Sequence, residues 1–125
     1  NKGTLITPHM KLGDIEKENQ KKVIDLKKEY FDTVHKGMRG AVSYGTAVAL
    51  NVPYVEIAAK TGTAQLGLLK NRVNSWVIGF FPYENPKYAF TILMESGPAS
   101  GSVGASSIMR GLIDWMYLNT PEYLK

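Results

Sequence analysis

The sequence predicts an α+β fold in which one antiparallel sheet of at least three strands packs with two amphipathic helices. Three observations carry this. Apolar residues recur three or four apart over residues 31–42 and again over 105–116, which is the helical period. Between these lie three runs, Val55–Gln65, Asn74–Phe81 and Tyr88–Glu95, rich in β-branched and aromatic residues. The second and third runs are joined by Pro82-Tyr83-Glu84-Asn85-Pro86-Lys87, dense in turn formers and too short for a parallel crossover, so they make an antiparallel hairpin.

Each element has its own signature. Thr4 to Leu12 is extended but broken by Pro8, which suits an edge strand or a loop. Residues 13–28 are the most polar stretch, with Lys21 to Leu26 a short exposed strand or a connector. The first helix starts near Lys28 with no good capping residue. Phe31, Val34, Met38, Ala41 and Val42 share one face, Glu29 and Asp32 lie near its start, and Lys36 and Arg39 near its end, as the helix dipole favours. Gly45-Thr46-Ala47 ends it, and Asn51-Val52-Pro53 turns the chain. On the second strand Trp76 and Phe80 share one phase and are expected in the core. Ser96 to Gly101 reads as a flexible loop. The second helix presents Ala105, Ile108, Met109, Leu112, Ile113 and Met116 on a wide apolar face and closes at Asn119 and Pro121.

The 125 residues suffice for one domain with a core and are too few for two. Net charge is +4, but the opposite charges of the first forty positions are densely interleaved and no basic run is interleaved with aromatics, so a nucleic-acid surface is not expected. The chain has no cysteine, which excludes disulfides and thiolate metal sites. No apolar run approaches the roughly 20 residues of a membrane-spanning helix. Asn1-Lys2-Gly3-Thr4 opens without an initiator methionine and reads as the interior of a longer chain.

The richest stretch chemically is Ile57-Ala58-Ala59-Lys60-Thr61-Gly62-Thr63-Ala64-Gln65. In a strand Thr61 and Thr63 point one way and Lys60 the other, and Gly62 between the hydroxyls removes a side chain. This is an arrangement for holding an anion against a sheet edge. The other candidates are weaker. His9 and His35 have no partners at ligand or triad spacing, and Arg39, Arg72 and Arg110 read as surface groups, solvated or paired. Ser75 reads as a packing residue. Gly97, Gly101 and Gly104 are not followed by the lysine and hydroxyl that a phosphate loop needs. Glu56 and Glu95 fall on separate runs and define no carboxylate pair.

Lys-Thr-Gly alone occurs often by chance, but its surroundings add to it. Lys60-Thr61-Gly62-Thr63-Ala64-Gln65, the following Asn74 to Pro82 run, the preceding Gly37-Met38-Arg39-Gly40-Ala41-Val42 and Gly45-Thr46-Ala47, and the opening Gly3 to His9 together resemble the C-terminal part of the transpeptidase domain of penicillin-binding proteins, most closely the monofunctional class B enzymes. The resemblance covers nearly the whole chain, with residues 12–28 matching least. It implies a penicillin-binding-protein/serine β-lactamase-like fold. It further implies that Lys60 places a positive charge beside the nucleophile and the substrate carboxylate. By the same resemblance Thr61 and Thr63 hydrogen-bond that carboxylate, Gly62 lets the acyl group lie against the strand, and the backbone N–H of Thr63 supplies one oxyanion-hole donor. The ligands implied are a stem peptide ending in D-Ala-D-Ala and β-lactams, with no cofactor and no metal. Other cell-wall synthesis proteins are implied as partners, at the outer face of the cytoplasmic membrane and through an N-terminal anchor outside this sequence.

The sequence departs from that family in one respect. None of its serines is followed three residues later by lysine, and no Ser-x-Asn motif is present. Without an activated nucleophile no acyl-enzyme forms, so the expectation is a C-terminal fragment of a transpeptidase, inert by itself. A fragment of a serine β-lactamase or β-lactam sensor is one alternative, and a non-catalytic peptide-binding module another. An interrupted sheet also predicts an exposed strand edge or apolar patch, and self-association through it.

Overall fold

The computed structural model describes residues 3–6, 22–100 and 103–125. The chain divides into two compact units, residues 1–34 and 35–125, the division falling inside the first helix. In the first unit β1 (Thr4–Leu5) pairs antiparallel with β2 (Lys22–Val23), Thr4 opposite Val23. Gly3 sits at φ +88°, and a Cβ there would stand 2.6 Å from the Phe31 ring, so only glycine lets the chain pass that close. His9 and the polar stretch through residue 21 lie outside the described residues.

Helix α1 spans Lys28–Ser43, within the range the apolar spacing predicts. Its inward face is shorter than expected, because Val42 is fully buried while Val34 is 59% exposed. The last turn of α1 carries no basic residue. Arg39 instead reaches sideways to Glu56, Nη2 to Oε1 at 3.0 Å, and Nη1 donates to the Ile57 carbonyl at 3.4 Å. Helix α1 ends where Gly45 folds the chain back on Ala41. A Cβ at Gly45 would lie 2.8 Å from the Ala41 Cα, and Ala47 N donates to the Ala41 carbonyl at 2.9 Å.

The second unit is built on a sheet of β3 (Ala58–Leu66), β4 (Arg72–Phe81) and β5 (Tyr88–Pro98), antiparallel in that order, with β3 and β5 at its edges among the described strands. Thr61 faces Val77 and Val77 faces Ile92, so these three share one face of the sheet. Helix α2 (Ala105–Asn119) covers that face with Met109 and Ile113, and the core closes on Leu50, Val52, Val55, Ile57 and Phe81. The alternation on β4 therefore runs opposite to the expected one. Val73, Val77 and Phe81 are buried, whereas Trp76 is 38% exposed and Phe80 is half-buried against the His35 ring at 5.0 Å. Trp76 and Phe80 have the sheet face that α2 does not reach.

Strand β5 also outlasts its expected end at Glu95. A bulge interrupts its pairing between Val73 and Ser75 of β4, Ser96 takes φ +52°, and its N–H donates to Asn74 Oδ1 at 2.9 Å. Pairing then resumes through Gly97 and Pro98. Proline is admissible there because β5 is an edge strand.

A polar cluster ties the approach to β3 onto α2. Tyr54 OH donates to Asp114 Oδ1, Arg110 Nε grips both Asp114 oxygens at 2.8 and 2.9 Å, and Arg110 Nη1 donates to the Ala49 carbonyl at 3.2 Å. Partial burial, and after it the bond to Asp114, push the Tyr54 hydroxyl up from 10.0 to about 12. The same Tyr54 bond, seconded by Arg110, holds the Asp114 carboxyl below its ordinary range. Stabilisation by Tyr54 is therefore full below about pH 10 and lost as pH rises through about 12. Stabilisation by Asp114 is lost on acidification through its lowered pKa. The stability difference between the wild type and Tyr54→Phe, measured by urea unfolding, should stay level between roughly pH 6 and 9 and shrink above pH 10. A difference that grows above pH 10 would contradict this assignment.

Candidate functional site

Strand β3 begins as a buried strand, Ala58 and Ala59 being fully covered, and emerges at Lys60. From there its polar residues stand at a sheet edge. The direction of its backbone follows from two contacts just upstream. Glu56 turns its carbonyl toward Tyr83 N at 2.9 Å, on the β4 side, while Ile57 turns its carbonyl outward to Arg39. Residues two apart in a strand repeat the same direction. The N–H and C=O groups of Thr61 and Thr63 thus face the open edge. Lys60 conforms to this: its side chain starts on the Trp76 face, and Nζ curls back to donate to the Thr61 carbonyl.

The two threonines meet on one side of the edge, whereas Lys60 reaches the edge from the other side and is not among the residues that line the cleft beside the threonines. Lys60 brings its ammonium round from the open face, and Thr61 and Thr63 project toward the α2 layer. There they line a cleft of about 400 Å³ with Thr46, Ser75, Gly104 and Ser107. A Cβ at Gly62 would lie 3.5 Å from Trp76 Cβ, an ordinary contact, so packing within the sheet does not demand glycine here. Its effect is to leave a notch on the Trp76 face.

Two contacts in the cleft have no counterpart in the residue pattern. Thr46, which reads as part of a helix stop, places Oγ1 2.8 Å from Thr61 Oγ1. Ser75, expected to pack, accepts a hydrogen bond from the Ala105 N–H at 3.0 Å and so satisfies one open donor at the start of α2. The start of α2 has no side-chain cap of its own, because Gly104 occupies the capping position. A Cβ on Gly104 would come within 3.0 Å of Ser75 Oγ. Both contacts join residues far apart in sequence.

The arginines act as ties. Arg39 and Arg110 pin the segment that feeds β3 from two directions, and Arg72 donates to the Ser96 carbonyl beside the bulge. Among the described residues no group of three or more His, Cys, Asp or Glu could hold a metal ion, and no helix is long and apolar enough to cross a membrane.

Strand β3 thus presents outward backbone groups, two threonine hydroxyls and a lysine ammonium at an open sheet edge. The chain belongs to the penicillin-binding protein transpeptidase domain family, which matches residues 1–114. The peptidoglycan D,D-transpeptidase MrdA of Salmonella typhimurium is 30% identical over 146 aligned residues, covering 94% of this chain and 23% of MrdA. Among solved structures, the penicillin-binding protein PBP2 of Helicobacter pylori, in complex with MreC, superposes with a TM-score of 0.70 at 28% identity. That match covers 94% of this chain and 22% of PBP2. The imipenem acyl-enzyme of penicillin-binding protein A from Mycobacterium tuberculosis gives 0.59 at 29% identity over 75% of this chain and 20% of that one. The chain thus spans less than a quarter of the length of these relatives.

Proposed function

We propose that these residues serve a peptidoglycan D,D-transpeptidase, as the strand that seats the substrate. A serine outside the 125 residues attacks the carbonyl between the last two residues of a stem peptide ending in D-Ala-D-Ala. The tetrahedral oxyanion collapses, the terminal D-Ala leaves with its amine protonated, and the acyl-enzyme passes its acyl group to an amine of a neighbouring stem peptide. Lys60, Thr61 and Thr63 hold the terminal carboxylate, Gly62 gives room for the acyl chain, and the Thr63 N–H donates to the oxyanion. A β-lactam enters by the same route, its acid taking the place of the peptide carboxylate. The observation that supports this most is that Thr61 and Thr63 line one cleft beside the outward backbone groups of β3, with Lys60 Nζ resting on the Thr61 carbonyl at that edge. The relatives' names support the reaction class.

The nucleophile is assigned elsewhere because no serine in this chain has a lysine at the required spacing. In this reading the full-length protein works at the outer face of the cytoplasmic membrane, held by an N-terminal anchor, with other cell-wall synthesis proteins as partners; that Helicobacter pylori PBP2 forms a complex with MreC supports a protein partner. A fluorescent penicillin should label the full-length protein covalently and leave the 125-residue chain unlabelled. Covalent labelling of the 125-residue chain would sink the placement of the nucleophile. Reversible binding of a D-Ala-D-Ala peptide by an unlabelled full-length protein would instead favour a non-catalytic binding module.

A further inference from the structure

The geometry points to Thr46 as a positioning residue that sets the direction in which the Thr61 hydroxyl donates. The two Oγ1 atoms lie 2.8 Å apart at the rim of the cleft, and either can be the donor. A hydroxyl has one proton to give and two lone pairs to accept with. If Thr61 spends its proton on Thr46, it meets an incoming carboxylate with lone pairs, which repel it. If Thr46 donates to Thr61, the Thr61 proton is left for the carboxylate, and the bond to the anion is a charge-assisted one. An anionic ligand therefore selects the second arrangement, in which Thr46 fixes the Thr61 rotor and polarises its O–H. Thr46 itself makes no bond to the ligand.

The fold supplies Thr46 for this with little freedom. Gly45 allows the chain to double back so closely that a Cβ there would lie 2.8 Å from Ala41 Cα, and the next-but-one residue is anchored by Ala47 N to the Ala41 carbonyl and by full burial of Ala47. Thr46 sits between these fixed points, exposed to the cleft. Its hydroxyl has no role in the α1 hydrogen-bond ladder, which ends at Ser43. A stop signal for a helix is satisfied by Gly45 without a hydroxyl at the following position, so the pairing with Thr61 is the feature left to explain.

This inference rests on Thr61 holding the ligand carboxylate, as proposed above. The test is acylation of the full-length protein by benzylpenicillin, resolved into the dissociation constant of the initial complex and the acylation rate constant. Thr46→Val should weaken the initial complex roughly tenfold, the loss expected for a weakened hydrogen bond to a charged group, and change the acylation rate constant less than about twofold. Thr46→Ala should match it, and Thr46→Ser should restore wild-type values. Thr61→Val should weaken the complex comparably, and the double variant Thr46→Val/Thr61→Val should be no worse than Thr61→Val alone. If Thr61→Val weakens binding while Thr46→Val does not, the positioning role is overturned and the carboxylate-binding reading stands. If the two losses add, Thr46 acts through packing and the inference fails. If neither variant changes binding, it is the carboxylate-binding reading of Thr61 that falls.

Discussion

Replacing Lys60 by alanine in the full-length protein is expected to slow acylation by a fluorescent penicillin roughly 30- to 150-fold, the effect of losing about 2–3 kcal/mol of charge-assisted hydrogen bonding. The ammonium is exposed and rests on the Thr61 carbonyl, so it is positioned at the edge yet exchangeable for a ligand oxygen. On the proposed reading, its removal leaves the two threonine hydroxyls to hold the carboxylate without a cation. Because Lys60 contributes nothing to the core, the unfolding free energy from urea titration should stay within about 0.5 kcal/mol of wild type. Lys60→Arg keeps the charge but replaces a compact ammonium by a planar fork, and should recover only part of the rate. A Lys60→Ala protein that labels at the wild-type rate would remove the lysine from the site.

Ile113→Ala should be the costliest of these changes for stability, at about 2–5 kcal/mol by urea unfolding. Ile113 is fully buried on α2, in the cluster with Val77, Met109 and Ile57 that fixes the helix against the sheet. The deletion leaves a cavity under the same face that carries Thr61 and Thr63. It also loosens the seating of α2, whose first N–H depends on Ser75. Labelling per folded molecule should fall far less than for Lys60→Ala, since no group at the β3 edge is touched. A stability loss below about 1 kcal/mol would mean that α2 is not a principal cover of the sheet.

The elements of the fold were legible because hydrophobic period is a local property. Helix α1 is written in the spacing of Met38, Ala41 and Val42, and α2 in that of Ala105, Met109 and Ile113. What depends on the third dimension was not legible. Alternation on β4 reveals two sets of residues but not which set a helix will cover. The large aromatics Trp76 and Phe80 drew the wrong choice, and the smaller Val73 and Val77 took the core. The end of β5 was hidden because Ser96, Gly97 and Pro98 have turn-forming chemistry, while the bulge that returns them to the sheet depends on Asn74 of the neighbouring strand. At the site, Lys60, Thr61, Gly62 and Thr63 stood out as one contiguous stretch. Thr46 and Ser75 did not, since each acquires its role from a partner 15 or 30 residues away.

Gly79 gives the pairing of β3 with β4 a key. A Cβ there would stand 2.4 Å from the Ala58 carbonyl oxygen and 2.6 Å from the Phe90 ring, so this place in β4 takes no side chain. Sliding β3 and β4 by one position would bring Ile78 or Phe80 into that gap, and a shift of a single residue also exchanges the two faces of a strand. The threonines would then turn to the Trp76 side and Lys60 to the α2 side, undoing the site without altering any residue in it. The phase of the edge proposed to hold the ligand is thus dictated from the adjacent strand, by a residue outside the proposed site. Length changes at the 67–71 hairpin tip, where Leu68 and Leu69 are fully or mostly exposed, leave that key in place.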